Sequence, residues 1–394
     1  MDERAVHPVA QSAERAAPGG RPVSVLLCAP VHMLGGHTIA ARNLAERFSQ
    51  HPHVHASLQA IDPRLPWPLR WLTDVKLVRS VTRPLLFALG LARAARRVDV
   101  VHVFAAAHTA FFFTAMPALL MARWLRKPIV LNYHDGRAES HLRRSPRVLR
   151  WAIARAAALV VPSAFLQRVF AHHGFEALVI RNVVDTAAFR FRDPVPLRAR
   201  LISTRLLEPV YAVDNTLRAF ALVRSRVPDA ECDVYGVGAS EAGLRRLARA
   251  LGAPGIRFHG GIPHGEMPAA LARGGILVNS SRIDNQPHTI IEAFAAGVPV
   301  VTTPAGGVTD MVEHERTGLF VPMDQPEALA EAILRLLHEP GLAARLTRAA
   351  QAECARYSWI VAGPQWARLY RGLTDGVGVQ STHWIKEVVE RAGT

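Results

Sequence analysis

Residues 276–322 read ILVNSSRIDNQPHTIIEAFAAGVPVVTTPAGGVTDMVEHERTGLFVP. Ile276 to Val278 form an apolar run that predicts a short buried strand, and Asn279 to Pro287 a polar loop with a proline near its end. From His288 to Ala296 apolar residues recur at helical spacing and stop at Gly297, the residue type that closes helices in the left-handed conformation. Val298 to Val301 then predict a second strand, followed by the turn Ala305-Gly306-Gly307. Strand, loop, helix, strand and glycine turn make a parallel α/β unit, and the rest of the chain is read outward from it.

The first N–H groups of a helix lack partners and carry partial positive charge, so the loop from Asp284 to Thr289 is placed to face an anion, most simply a phosphate. Asn285, His288 and Thr289 belong to that loop and are candidate ligand-binding residues. Asp284 precedes the helix and Glu292 lies about a turn inside it, so both carboxylates can address one cleft. Carboxylates accept hydrogen bonds, which suits the vicinal hydroxyls of a ribose or a sugar. A phosphate-facing helix start between two such acceptors describes a nucleotide-sugar site.

An acidic residue, seven residues, a glutamate, then ala-x-x-gly-x-pro-val and a gly-gly turn: this order resembles the signature of the retaining GT-B glycosyltransferases, particularly glycosyltransferase family 4. IEAFAAGVPVV, AGGVTDMV and TGLFVPMDQPEALAEAI carry it. The resemblance implies two Rossmann-like, doubly wound parallel-sheet domains facing a cleft, with a C-terminal helix crossing back to the first domain. Two positions depart from the pattern. Asp284 stands where glutamate is usual, and Pro287 stands where glycine is commoner and removes one N–H. Asn285-Gln286-Pro287 matches a variant found in the family.

Earlier in the chain, the strand Val23 to Ala29 leads through Gly35-Gly36 into a helix expected over Thr38 to Ser49, and the pair matches the family's glycine-rich loop, where backbone approaches a ligand. His51 to Pro84 reads as irregular, with prolines and the tryptophans Trp67 and Trp71. Asp99 to Phe104 and Pro128 to Tyr133 read as strands, the second delivering His134. Ligands of doubly wound sheets sit at strand carboxyl ends, and His134 resembles the family's histidine near the donor sugar. Leu178 to Arg181, Asn182 to Asp185 and Phe189 resemble the segment before the interdomain linker, with Val183 where glycine is usual. Leu201 to Thr204 delivers Arg205, matching an arginine that offsets the nucleotide diphosphate; the lysine expected some six residues later is Tyr211. Arg282 is the nearest candidate to replace it. Cys232 to Gly238 ends in Gly236-Val237-Gly238, and Glu241 stands where a dinucleotide fingerprint needs its third glycine.

The domains expected are a disordered arm (1–21), an acceptor domain (22–192), a donor domain (193–358), a crossover helix (359–375) and a tail (376–394) whose residues 381–392 can form an amphipathic helix. Tyr357 to Leu373, with Trp359, Trp366 and Tyr370, resembles the crossover helix. Over the 394 residues the formal charge is +15 with only three lysines, so arginine supplies the basicity. That charge reads as solvated surface or as attraction to an anionic membrane; nucleic-acid motifs and zinc spacings are missing. Val101 to Leu120 is apolar, but His102, His108 and Pro117 interrupt it, and a strand plus core helix explains it better than a span. Cys28, Cys232 and Cys354 are too scattered for a disulfide framework, and the acidic start MDER lacks the apolar core of a signal peptide, so a cytoplasmic setting, with peripheral contact at the membrane face, is expected.

The reading is a sugar transfer from a nucleotide diphosphate donor, UDP- or GDP-linked, to a glycan or lipid-linked acceptor in polysaccharide or glycolipid synthesis. His134, Arg205 and Asp284 are the candidate catalytic residues. Gly35, Gly36, Arg205, Gly236, Gly238, Asp284, Asn285, His288, Thr289 and Glu292 are the candidate donor-binding residues. No Asp-x-Asp metal motif occurs, and no cofactor or metal is expected. Two alternatives stay open: a degenerate GT-B module that binds a sugar nucleotide without transfer, and a UDP-sugar 2-epimerase of the same fold.

Overall fold

The computed structural model describes residues 21–33, 35–339 and 341–375. The expected N-terminal arm, apart from its last residue, and the expected C-terminal tail lie outside the described residues. Two all-parallel sheets of six strands organise the rest. The first contains β1 (Val23–Ala29), β2 (Val54–Ala60), β3 (Val100–Ala105), β4 (Ile129–Tyr133), β5 (Ala158–Val161) and β6 (Leu178–Val179), in the order β2-β1-β3-β4-β5-β6. The second contains β7 (Arg200–Ser203), β8 (Glu231–Tyr235), β9 (Ile256–Gly260), β10 (Ile276–Asn279), β11 (Val300–Thr302) and β12 (Leu319–Phe320), in the order β12-β11-β10-β7-β8-β9.

This is the two-domain α/β GT-B architecture. Strands β1, β3, β4, β10 and β11 are almost wholly buried because helices cover both sheet faces, which is why they read as continuous apolar runs. In the second sheet β7 pairs with both β8 and β10, so the winding direction reverses between β7 and β10. Arg205 follows β7 and the Asp284 loop follows β10. Both therefore emerge at the switch point, where a crevice opens between diverging connections.

The final helix, Trp359–Thr374, lies against the first sheet rather than the second. His102 on β3 ties it there: the Tyr370 hydroxyl stands 2.6 Å from His102 Nδ1, and the Trp366 ring stacks on the imidazole at 4.8 Å. Burial holds this imidazole neutral, with its pKa pushed down to about 3. All three cysteines are free and buried.

The structure corrects the reading of His51 to Pro84 as irregular. It holds β2, a short helix Trp71–Asp74, and the first half of a long helix, Lys76–Ala94. Strand β2 is the sheet edge, and its burial is partial along most of its length, so its VHASLQA sequence lacks the apolar signal of an interior strand. In the long helix, Pro84 disguises the helical run, since proline removes an interior amide donor. The helix after β1 begins at Gly36, two residues earlier than expected. The apolar stretch Val101 to Leu120 divides into β3 and the helix Thr109–Trp124, and no helix among the described residues is long and apolar enough to cross a membrane.

Candidate active site

The Asp284 loop is held between the two domains. Asn285 Nδ2 donates to the His134 carbonyl at 3.1 Å, the Ser163 hydroxyl bonds Asn285 Oδ1, and the Asn182 amide donates to Gln286 Oε1 at 2.9 Å. His134 follows β4 and Ser163 follows β5, so the loops at the carboxyl ends of the first sheet face those of the second. Asp310 adds a second tie, accepting from the Phe165 amide at 2.5 Å and pairing with Arg168 at 3.0 Å. Glycines make the approach possible. A Cβ at Gly306 would strike the Asp284 carbonyl and one at Gly307 the Asn285 carbonyl, while Gly136 meets the same loop from the first domain.

Arg205 lies at the middle of this arrangement. Its Nη2 stands 2.9 Å from Asp284 Oδ2, and its guanidinium carbon lies 4.1 Å from the centroid of the Tyr211 ring. Both ion-pair partners are largely buried, at 13% and 8% side-chain exposure. The Thr204 hydroxyl contacts that of Thr289, fixing the end of β7 against the first turn of the helix His288–Ala296. No side chain caps that helix start, where Pro287 is the N-cap.

Several buried polar atoms here lack a hydrogen-bond partner: Arg205 Nε, Asp284 Oδ2, His134 Nε2 and both ring nitrogens of His288. Asp284 Oδ2 thus attracts the Arg205 charge without accepting an aligned bond. Each such group costs about 1–3 kcal/mol when left unsatisfied, so their convergence on one place marks a surface shaped for a polar ligand. Burial keeps the imidazoles neutral. His288 is pushed down to about 3 by burial, helped by nearby His264 and Arg205; His134 falls well below the ordinary histidine range for the same first reason, helped by His37, His102 and His288. Glu292 is 2% exposed, and burial raises its carboxyl to about 7 against the pull of Arg205.

The sequence candidates divide into three groups. Arg205, Asp284, Asn285, His288, Thr289, Glu292 and His134 come together around the switch point. Gly35 and Gly36 lie across the cleft and face open space: a Cβ on Gly36 would meet nothing within 4 Å, and one on Gly35 would have only Leu206 of the second domain, at 3.9 Å. Gly236 and Gly238 do something else. A Cβ on either would collide with the backbone carbonyl of Arg205 or Leu207, so they support the Arg205 loop from behind. Arg282 does not stand in for the missing lysine, because it pairs with Asp324 at 2.7 Å and donates to the Pro209 carbonyl at 2.8 Å. Val183 is buried in the first domain's core, and its carbonyl accepts from Asn43 at 3.1 Å.

Three neighbours of the site escaped sequence reasoning. His37 sets its ring edge-on to His134 at 5.2 Å, and His264 Nδ1 lies 3.7 Å from Glu292 Oε1. Their signals were their places, directly after the Gly35-Gly36 pair and just beyond the glycines that end β9. Tyr211 was noted only as a lost lysine.

The model of "Glycosyl transferases group 1" matches residues 195–353, and that of "Glycosyltransferase Family 4" matches residues 34–188. The alpha-D-kanosaminyltransferase of Streptomyces kanamyceticus is 30% identical over 287 residues, covering 64% of this chain and 73% of that protein. This chain is a family 4 glycosyltransferase. A second relative of this glycosyltransferase is the glycogen synthase of Mycobacterium tuberculosis, 29% identical over 298 residues, with 71% of this chain and 70% of the relative covered. Among solved structures, HepE of Anabaena in complex with UDP and glucose superposes with a TM-score of 0.70 at 17% identity, over 89% of this chain and 100% of HepE. At that identity the likeness concerns the fold, in which this glycosyltransferase places its buried polar cluster at the switch point of the second sheet.

Proposed function

We propose that this glycosyltransferase takes its sugar from a nucleotide diphosphate donor and passes it, with retention of anomeric configuration, to a glycan or lipid-linked acceptor. The observation that carries the reading is the convergence of unpartnered buried polar atoms on Arg205, Asp284, His134 and His288 beside an uncapped helix start. A diphosphate between Arg205 and that helix start would take the guanidinium Nε–H and the free amides. Glu292 accepts from the ribose hydroxyls. Asp284 Oδ2 and the neutral His134 ring are placed to accept from, or donate to, hydroxyls of the transferred sugar.

Breaking the anomeric bond puts negative charge on the departing diphosphate and positive charge on the sugar. Arg205 and the helix N-terminus are pre-oriented towards the first charge, in a site where buried surroundings strengthen their effect. In this reading the residues of the chain carry that charge themselves, so a chelator leaves the rate unchanged. Two domains around the cleft exclude water from the donor when closed.

The test is slow nucleotide diphosphate release from a panel of UDP-, GDP- and ADP-sugars, without acceptor, alongside ligand-induced thermal shifts. UDP-sugars head the panel because the structural relative holds UDP and glucose. Release from one donor, abolished by Glu292→Gln, supports transfer and names the donor. Epimerised donor without acceptor would instead favour the epimerase, and binding without transfer to any acceptor would favour the non-catalytic module.

A further inference from the structure

The helices Lys76–Ala94 and Thr109–Trp124 lie side by side on one face of the first sheet, the face opposite the final helix. Phe87 and Leu91 of the first, with Phe111 and Leu119 of the second, enter the same core. Their outward sides should be polar if they met only water, and they are not. Val81, Leu85 and Leu89 recur every four residues along the first helix, with Val81 69% exposed. Phe112, Leu120 and Trp124 form a matching stripe on the second, with Trp124 66% exposed. At the start of the first helix Trp67 and Trp71 extend the apolar surface, Trp67 being 87% exposed.

A basic rim accompanies the stripes. From Trp67 to His134 the chain carries eight arginines, two lysines and two acidic residues, Asp74 and Asp99; Asp74 pairs with Arg70 at 3.0 Å and Arg83 at 3.8 Å, and Asp99 is taken by Arg21 at 2.6 Å. Arg93, Arg96 and Arg97 line a solvent-open cavity of about 520 Å³ at the end of the first helix. The Arg96 guanidinium lies over the Trp124 ring at 5.6 Å, joining the ends of the two stripes. Arg93, Arg97, Arg123 and Arg126 are exposed and make no ion pair among the described residues.

We infer that this face is a docking surface for an anionic lipid bilayer. Apolar side chains would enter the boundary between headgroups and acyl chains, while the arginines meet lipid phosphates. Charge decides between this occupant and a second copy of the chain, because pairing two such faces would bring two arginine rims together, whereas an anionic bilayer neutralises one. The placement also has direction. The helix Thr109–Trp124 starts just beyond β3, at the cleft edge of the sheet, so a bilayer along this face reaches the lip of the cleft near Phe112. The inference is independent of the reaction assigned to the cleft.

The test is flotation of the full chain with vesicles of phosphatidylcholine, with and without phosphatidylglycerol. The wild type should float with the anionic vesicles and not with neutral ones, less so as salt rises. Arg93→Glu/Arg96→Glu/Arg97→Glu should weaken partitioning by about a hundredfold or more, each charge near the surface contributing about tenfold or less before reversal. Leu85→Asp/Leu89→Asp should also abolish flotation, while both variants unfold cooperatively near the wild-type melting temperature, which shows that the fold is intact. No flotation with anionic vesicles, flotation unaffected by either variant, or equal flotation on neutral vesicles would each overturn the proposal. So would a dimer that Leu85→Asp/Leu89→Asp dissolves in a chain that does not float, which would assign the face to a second copy.

Discussion

The Tyr211 ring lies under the Arg205 guanidinium, its centroid 4.1 Å from the guanidinium carbon. Where the family pattern leads one to expect a lysine, this chain has an aromatic platform instead. The diphosphate would then face one well-positioned positive charge in place of two. A planar cation over a ring face gains about 0.5–2 kcal/mol and loses freedom to swing.

Truncating that platform should therefore act through Arg205. Tyr211→Ala is expected to lower kcat by about tenfold, the rate equivalent of a cation–π contact of this kind. Tyr211→Phe should stay close to wild type, because the ring face and not the hydroxyl meets the guanidinium. Steady-state kinetics with the identified donor decide the point; an unaffected Ala variant would mean that Arg205 is held by Asp284 alone.

Glu292 gives the site a pH signature with two opposite signs. Burial raises its carboxyl from 4.5 to about 7, so the folded protein holds a proton that the unfolded chain has lost between those values. The stabilising effect of that proton is complete below about 4.5 and disappears as pH rises through about 7, leaving a cost of up to about 3 kcal/mol in alkaline solution. Glu292→Gln should consequently melt at higher temperature than wild type above neutrality and lose that advantage in acid. Donor affinity runs the other way: it should strengthen in the wild type as pH rises through about 7, when the carboxyl loses its proton and both oxygens become charged acceptors, and stay weak and flat in the variant. Melting curves and titration calorimetry over a pH series test both halves.

Gly36 separates ligand contact from structural need. A Cβ there meets nothing in the protein within 4 Å, unlike at Gly236 or Gly306. Gly36→Ala should leave the melting temperature at or slightly above the wild-type value, since alanine favours the helix by up to about 1 kcal/mol. Its donor affinity should nevertheless fall by about tenfold, because the added methyl occupies room that a ligand needs. Normal affinity in this variant would remove the Gly35-Gly36 loop from the donor site.

The parts of the molecule legible in the sequence are those where burial is complete and local. Strand β10, the helix His288–Ala296 and strand β11 follow one another with apolar runs and a left-handed Gly297, so the α/β unit and the places of Asp284 and Glu292 could be read directly. Arg205 and His134 were legible because strand ends mark them. Strand β2 was not, since an edge strand keeps polar residues. Tyr211 sits in a one-turn segment ended by Ala212 in the left-handed region, where no periodicity announces which side chain will reach Arg205. The contact between Ser163 and Asn285 spans 122 positions, and nothing local encodes it. Gly236 and Gly238 resembled ligand-facing glycines in sequence; only their packing against the Arg205 and Leu207 carbonyls shows what excludes a side chain there.

The helix Trp359–Thr374 belongs by packing to the first domain although it follows the second in the chain. Its Tyr370 and Trp366 complete the surroundings of His102. The two halves are therefore not interchangeable cassettes divided at a single junction. A chimera that imports another enzyme's donor half must change back to this chain's own sequence before Trp359, or the β3 histidine is left facing a foreign helix. Recombination within this lineage faces the same demand: two breakpoints, one on each side of the second sheet, preserve the first core, and one does not.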